Sequence, residues 1–250
     1  MLKIIEQSGN LDEPIFVCIV PRPMLRIVYS MPEVDLLMPE ENWLNDYVFT
    51  VDEFLTAQEC DHYIQICEDL GFEEALVSTA AGQKRMKDLR NNERVFLQNE
   101  ELAALLWERA SDFVPTEYDG RSAVGVNELF RFYRYDPGQQ FNWHQDFPFE
   151  RDTGEKSYLT FMIYLSDGFE GGETSFEDSY SDEPFEEFAV VAKKGMALFF
   201  EHAIHHKGEP VHQGRKYVLR TDVMYASDKL DDDQLNGDGF GADEDELDEW

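Results

Sequence analysis

The chain has 250 residues, with 53 acidic and 21 basic side chains and a formal net charge of −32. That length suits one substantial domain, and a content of 42% hydrophobic and 14% aromatic residues is too rich in core formers for a disordered chain. So acidic a protein is repelled by phosphate, which excludes general attraction to nucleic acid or anionic membranes but leaves room for a local basic patch.

The opening MLKIIEQSGN lacks a basic stretch followed by an apolar core, so no secretory signal is expected. No run of about 18 apolar residues occurs, so no membrane span is expected. Cys18, Cys60 and Cys67 form no CxxC pair, and Cys60 and Cys67 share one predicted helix at a spacing unsuited to a bridge. Reduced thiols in a cytoplasmic protein is the economical expectation.

Residues 1–46 read as an N-terminal extension, with the apolar runs IFVCIV and MLRIVY separated by PRP and able to pair as a hairpin packed on the core. From Tyr47 the pattern is that of a single domain over residues 47–226. Thr56 and Glu59 make a capping box. Cys60, Tyr63, Ile64, Cys67 and Leu70 then recur at helical spacing up to Gly71, a helix-ending residue. A second amphipathic helix starts near Asn99, with Leu102, Leu105, Leu106, Ala110 and Phe113 on one face. Between the helices, residues 82–94 hold a basic concentration of Lys84, Arg85, Lys87, Arg90 and Arg94. This is either a solvated loop or a segment that covers substrate.

The periodicity then changes. Residues 127–135, 158–166, 187–192, 196–201 and 216–225 are rich in aromatic and β-branched residues, and DPG, GG, KKG and QG turns separate them. Helices followed by a run of short strands predict a mainly β fold with supporting helices. Residues 227–250 form an acidic tail, in which positions 228–250 hold eleven acids and one lysine, and it is expected to be solvated.

Two features carry chemistry. In the first, His144 and Asp146 are two apart in an extended stretch and so point to one face. His202, His205 and His206 cluster after a later strand, and one of them can complete two histidines and a carboxylate around a metal. That set suits non-haem Fe(II) with open positions, although hydrolytic zinc sites also mix these ligands. In the second, Lys216 and Arg220 share a strand face with Val218, Asp222 and Met224, while Tyr217, Leu219, Thr221, Val223 and Tyr225 form the more apolar face. A cation ten residues past a metal ligand suits an anionic cosubstrate.

These motifs, in this order, resemble the 2-oxoglutarate/Fe(II)-dependent dioxygenases, specifically their prolyl 4-hydroxylase-like group. The resemblance runs from about Tyr47 to Tyr225, and its motifs cover about a third of the chain. They are the segment from Tyr135 through His144-Gln-Asp146, then Thr160 to Ser166 followed by Gly171-Gly-Glu-Thr-Ser-Phe176. Gly195-Met-Ala-Leu-Phe-Phe, His206-Lys-Gly-Glu-Pro-Val and Gly214-Arg-Lys216-Tyr complete the set. The resemblance implies a double-stranded β-helix, or jelly roll, with His144, Asp146 and His206 as metal ligands and catalytic centre. It implies Lys216 on the distal carboxylate of 2-oxoglutarate, Arg220 as the reserve cation, Tyr135 in the cosubstrate pocket and Thr160 as a weaker pocket candidate.

The implied cofactor and cosubstrates are Fe(II), 2-oxoglutarate and O2, with ascorbate an optional reductant. The implied reaction is hydroxylation of an unactivated C–H bond with succinate and CO2 as coproducts. An intact carboxylate ligand favours hydroxylation, because related halogenases replace it. A prolyl residue in a peptide or protein is the favoured substrate, and a free amino acid or other small molecule the alternative. A noncatalytic acidic module that binds basic partners is a third reading, against which the complete ligand-plus-cation set counts. The sequence carries no sign of oligomeric state.

Overall fold

The computed structural model describes residues 35–36, 48–79, 82–177 and 187–227. In chain order, β1 (Asp35–Leu36) and β2 (Val48–Val51) precede α1 (Ala57–Leu70), and β3 (Glu73–Glu74), β4 (Val77–Thr79), β5 (Gly82–Lys84) and β6 (Glu93–Gln98) lead to α2 (Glu100–Ala110). The remainder is β7 (Glu117–Tyr118), β8 (Arg121–Val126), β9 (Leu129–Tyr135), β10 (Phe141–His144), β11 (Lys156–Tyr164), β12 (Glu170–Gly171), β13 (Thr174–Glu177), β14 (Phe188–Val190), β15 (Ala197–Glu201), β16 (His205–Gly208), β17 (Val211–Gln213) and β18 (Lys216–Ser227).

Local chemistry sets the helix starts. The Glu59 N–H donates to Thr56 Oγ1 at 3.2 Å and the Thr56 N–H donates to Glu59 Oε2 at 2.8 Å, which closes the capping box. Asn99 Oδ1 accepts from the Leu102 N–H at 3.0 Å and starts α2. Cys60, Tyr63, Ile66 and Cys67 form the buried stripe of α1, with Ile64 and Leu70 packed at its margin. On α2 the buried positions are Leu102, Ala103, Leu106 and Ala110, while Leu105 is half-buried and Phe113 lies past the helix end.

Two antiparallel sheets make the sandwich. The larger runs β1-β2-β15-β11-β18-β9-β6-β3, with β8 paired to the second half of β18 and to β7, and the smaller runs β10-β16-β13-β14. This is the expected mainly β jelly roll with helical support. Strand alternation divides the core in two. Phe132, Phe161, Phe199, Leu219 and Val223 face outward from the large sheet and pack under the helices. Tyr133, Tyr135, Met162, Tyr164, Phe200 and Val218 face inward, against Phe176, Val190 and Ile204 of the opposing side.

Several short strands escape the sequence pattern, notably β2, β6, β13 and β16, because pairing partners rather than local composition specify them. The basic segment is not one solvated loop. Lys84 closes β5, Arg94 belongs to β6, and Arg85 pairs with Glu74. Arg90 is buried, with its guanidinium 4.5 Å from the Tyr133 ring centre and 4.3 Å from that of Phe141. The apolar runs read as a hairpin and the acidic residues 228–250 lie outside the described residues.

Gly195 begins the approach to β15 at φ 83°, where a Cβ would meet Leu55 O at 2.1 Å, and the Leu55 N–H donates to Gly195 O at 3.0 Å. Gly195→Ala should therefore lower unfolding free energy by about 2 kcal/mol or more, combining left-handed strain with a backbone clash. Gly120, at φ 68° with open space around it, should cost only about 1 kcal/mol on the same change. Urea unfolding of both variants measures the difference, and equal losses would refute the clash.

Candidate functional site

His144 ends β10 and His206 lies on β16, directly opposite in the antiparallel register. An irregularity between Phe141 and His144 turns the histidine toward the sandwich interior, a common use of a bulge. His144 Nδ1 lies 2.8 Å from Asn142 O, and His206 Nδ1 lies 2.9 Å from Ile204 O. Each carbonyl accepts a hydrogen bond from Nδ1–H, which leaves Nε2 with its lone pair free.

Asp146 follows two residues after His144, and its N–H donates to His202 O at 2.9 Å. Its Oδ1 stands 3.9 Å from His144 Nε2 and its Oδ2 stands 3.6 Å from His206 Nε2. The three candidate ligand atoms lie within 4.8 Å of one another. Among the described residues this is the cluster that could hold a metal ion. Phe141 stacks on the His144 ring with centroids 3.5 Å apart.

The electrostatics favour metal-ready protonation states. Burial, then the neighbouring His206, lowers His144 well below the usual imidazole range, and burial also lowers His206. Burial alone would raise the Asp146 carboxyl. Arg220, with Nη2 at 3.0 Å, outweighs it together with the histidines and holds the group well below the carboxylate range. The imidazoles are therefore neutral and the carboxylate charged at neutral pH.

The same cavity is walled by Tyr133, Tyr135, Phe141, Met162, Phe200 and Val218, and it also exposes Thr174, Lys216 and Arg220. Lys216 is buried, with Nζ donating to Gly172 O at 2.6 Å and lying 5.4 Å from the ring centres of both Tyr135 and Tyr164. Burial pushes its ammonium down to about 8, with Glu173 and Glu209 opposing. A buried ammonium facing a cavity, without a carboxylate partner among the described residues, is a receptor for an anion. Arg220 pairs with Asp146 and, at 3.2 Å, with Asp222, yet its buried Nε has no hydrogen-bond partner. Four residues of extended strand, about 13 Å, separate it from Lys216, so the two cations serve different parts of the cavity.

Several neighbouring residues take other roles. Thr160, expected near the pocket, does not line the cavity but donates to Asp146 Oδ2 at 2.6 Å. Arg131 forms an ion pair with Asp222 at 3.0 Å. Trp143 packs against His205 on the outside of the small sheet, with Lys207 Nζ 4.7 Å from its ring centre. His205 pairs with Glu177 at 2.6 Å, and His202 is buried against Ser157 and Thr160. Phe200 lines the cavity. Tyr164 and Thr174, whose hydroxyls lie 2.6 Å apart beside Lys216, were missed; the alternation of Thr160, Met162 and Tyr164 along β11 was the available signal.

Comparison with known proteins agrees with this geometry. Residues 130–221 match the sequence family described as the 2OG-Fe(II) oxygenase superfamily. A probable prolyl 4-hydroxylase 8 of Arabidopsis thaliana is 27% identical over 200 residues, covering 72% of this chain and 66% of that protein. The chain spans about half to two thirds of the length of several curated relatives it matches. The fold is shared with a Pseudomonas putida prolyl-4-hydroxylase, at a TM-score of 0.53 and 17% identity, with 71% of this chain and 92% of that one covered. It is also shared with a Trichoplax adhaerens prolyl hydroxylase solved with a hypoxia inducible factor peptide fragment, at a TM-score of 0.54 and 14% identity, covering 77% and 88%. Residues 130–221 thus resemble the 2OG-Fe(II) oxygenase superfamily, and the relatives to which the chain is similar are prolyl 4-hydroxylases.

Proposed function

We propose that this domain is an Fe(II)- and 2-oxoglutarate-dependent dioxygenase that hydroxylates a prolyl residue in a peptide or protein. One observation carries the reading: two neutral imidazoles and a charged carboxylate converge in a cavity that also holds a buried, carboxylate-free lysine ammonium. Nε2 of His144 and His206 and Oδ1 of Asp146 would hold the iron, because Thr160 and Arg220 already occupy Oδ2. Bound Fe(II), with 2-oxoglutarate and O2, supplies oxidative decarboxylation to succinate and CO2 and transfer of the second oxygen atom to an unactivated C–H bond.

The chain's own residues orient and insulate that chemistry. Lys216 would grip the distal carboxylate of 2-oxoglutarate while Tyr135 and Tyr164 pack around it. Arg220 keeps Asp146 ionised, and its unpartnered Nε would be available to an anionic ligand. Phe141, Met162, Phe200 and Val218 exclude water. Ascorbate as a restoring reductant belongs to the same proposal. The prolyl assignment draws support from the plant relatives and from the fold shared with the peptide-bound hydroxylase.

Anaerobic addition of Fe(II) and then 2-oxoglutarate should produce a visible charge-transfer band, and O2 should then yield succinate, faster with a proline-containing peptide. Absence of both band and succinate in folded protein would sink the enzyme reading, and stimulation by free amino acids alone would displace the peptide. His206→Ala should abolish metal binding and turnover, whereas His205→Ala, which removes an outward partner of Glu177, should spare both; the reverse result assigns the wrong histidine.

The two charge sets titrate in different directions. Because both ligand imidazoles lie below their ordinary range, Co(II) affinity should stay level as pH falls through about 6.5 and drop only in stronger acid. A tenfold loss between about pH 7 and about 6 by calorimetry would contradict this. Lys216 loses its proton above about 8, and an incoming carboxylate requires that proton. Affinity for 2-oxoglutarate should therefore be flat below that pH and fall by up to about tenfold per unit above it. Lys216→Met should bind weakly at every pH, without that slope.

A further inference from the structure

We propose that His202 is a positioning residue for the Asp146 ligand, acting through Thr160 along a hydrogen-bond chain that can run in only one direction. This deepens the proposed function and rests on Asp146 as a metal ligand. A carboxylate only accepts hydrogen bonds, so Thr160 Oγ1, at 2.6 Å from Asp146 Oδ2, must spend its one proton there. Its second contact, to His202 Nδ1 at 2.9 Å, must then be an acceptance, which places the imidazole proton on Nδ1. The neutral ring's other nitrogen is an acceptor, and Ser157 Oγ at 2.8 Å donates to Nε2. Ser157 Oγ in turn accepts from the Phe149 N–H at 2.9 Å.

No atom in this chain is left over. Ser157 and Thr160 are 0% exposed and His202 4%, so water has no access to substitute for a missing member. Two backbone bonds fix the ring in place: the His202 N–H donates to Tyr158 O, and His202 O accepts from the Asp146 N–H, both at 2.9 Å. The consequence falls on the ligand. Thr160 and Arg220 occupy Oδ2, so Oδ1 is the oxygen left for a metal. Without a donor at Nδ1, Thr160 loses the contact that fixes its hydroxyl, and the carboxylate gains freedom to rotate.

A packing role alone would depend on the shape of residue 202; the positioning role depends on an N–H at the Nδ1 location. The test is Co(II) titration of the full chain, without cosubstrate, followed by visible absorption, with thermal unfolding of the metal-free protein as a control. Thr160→Val and His202→Leu should each weaken Co(II) binding about tenfold or more. The double variant should be no weaker than Thr160→Val alone, because both changes break one chain. His202→Asn, whose amide N–H falls near Nδ1, should stay within about threefold of the parent, whereas His202→Gln, whose amide falls near Nε2, should not.

Unchanged affinity in His202→Leu, losses that multiply in the double variant, or equal affinities for the Asn and Gln variants would each overturn the proposal. If His202→Leu does not fold, the Asn and Gln pair decides alone. Failure of the unaltered protein to bind Co(II) would instead remove Asp146 as a ligand, and this proposal with it.

Discussion

The contact between Arg220 and Asp146 is the interaction on which the site depends. A carboxylate buried at 9% exposure would ordinarily pick up a proton rather than stay charged, since unpaired burial costs several kcal/mol. Arg220 prevents this by lying 3.0 Å from Asp146 and 3.2 Å from Asp222, while Arg131 meets Asp222 from the neighbouring strand. Two guanidinium groups and two carboxylates therefore neutralise one another inside the sandwich. The two imidazoles come from the small sheet, but the groups that keep Asp146 charged and aimed, Arg220 and Thr160, come from the large one. The ligand set exists only when the sheets are packed together, so metal binding and closure of the sandwich are coupled.

That coupling depends on strand register. Along β18 the inward positions Lys216, Val218, Arg220 and Asp222 alternate with Leu219, Thr221 and Val223, the latter three all buried. Pairing sets Lys216 opposite Tyr135 and Arg220 opposite Arg131 on one side, and Arg220 opposite Met162 and Asp222 opposite Thr160 on the other. A slip of one residue would turn the cations toward the helices and leucine toward the cavity. The apolar face of β18 under α1 and α2 makes such a slip costly, so the helical layer protects the site without touching it.

Features set by local spacing were legible in the sequence. His144 and Asp146 two residues apart, the split faces of residues 216–225 and the Thr56/Glu59 cap depend on near neighbours, and the structure shows them as read. Features set by distant pairing were not. The family resemblance suggested Thr160 as a pocket residue, yet its hydroxyl is taken by Asp146 fourteen positions earlier. It is β18 that brings Arg131 its partner Asp222, from 91 positions away. His202 looked like one more histidine in a cluster; its function depends on where β11 and β15 place Ser157 and Thr160. Arg90 sat in a segment readable as a solvated loop or as a cover for substrate, and only the approach of Phe141 and Tyr133 buries it.

The net charge of −32 appears at first to oppose an anionic cosubstrate. Burial separates the two scales. Charges on the acidic exterior are screened by salt within about 10 Å, whereas buried charges act over short distances with little screening. Tyr133 reports the sign of the interior. Burial alone would raise its phenol, yet Arg90, Arg220 and Arg131 together hold it below the ordinary tyrosine value. Asp146 reports the same field, held charged where burial favours the neutral acid. The cavity is thus locally positive inside an acidic body, so an anion that reaches it is stabilised by arginines and a lysine already desolvated by the fold. The exterior charge bears on approach; the interior cations determine binding.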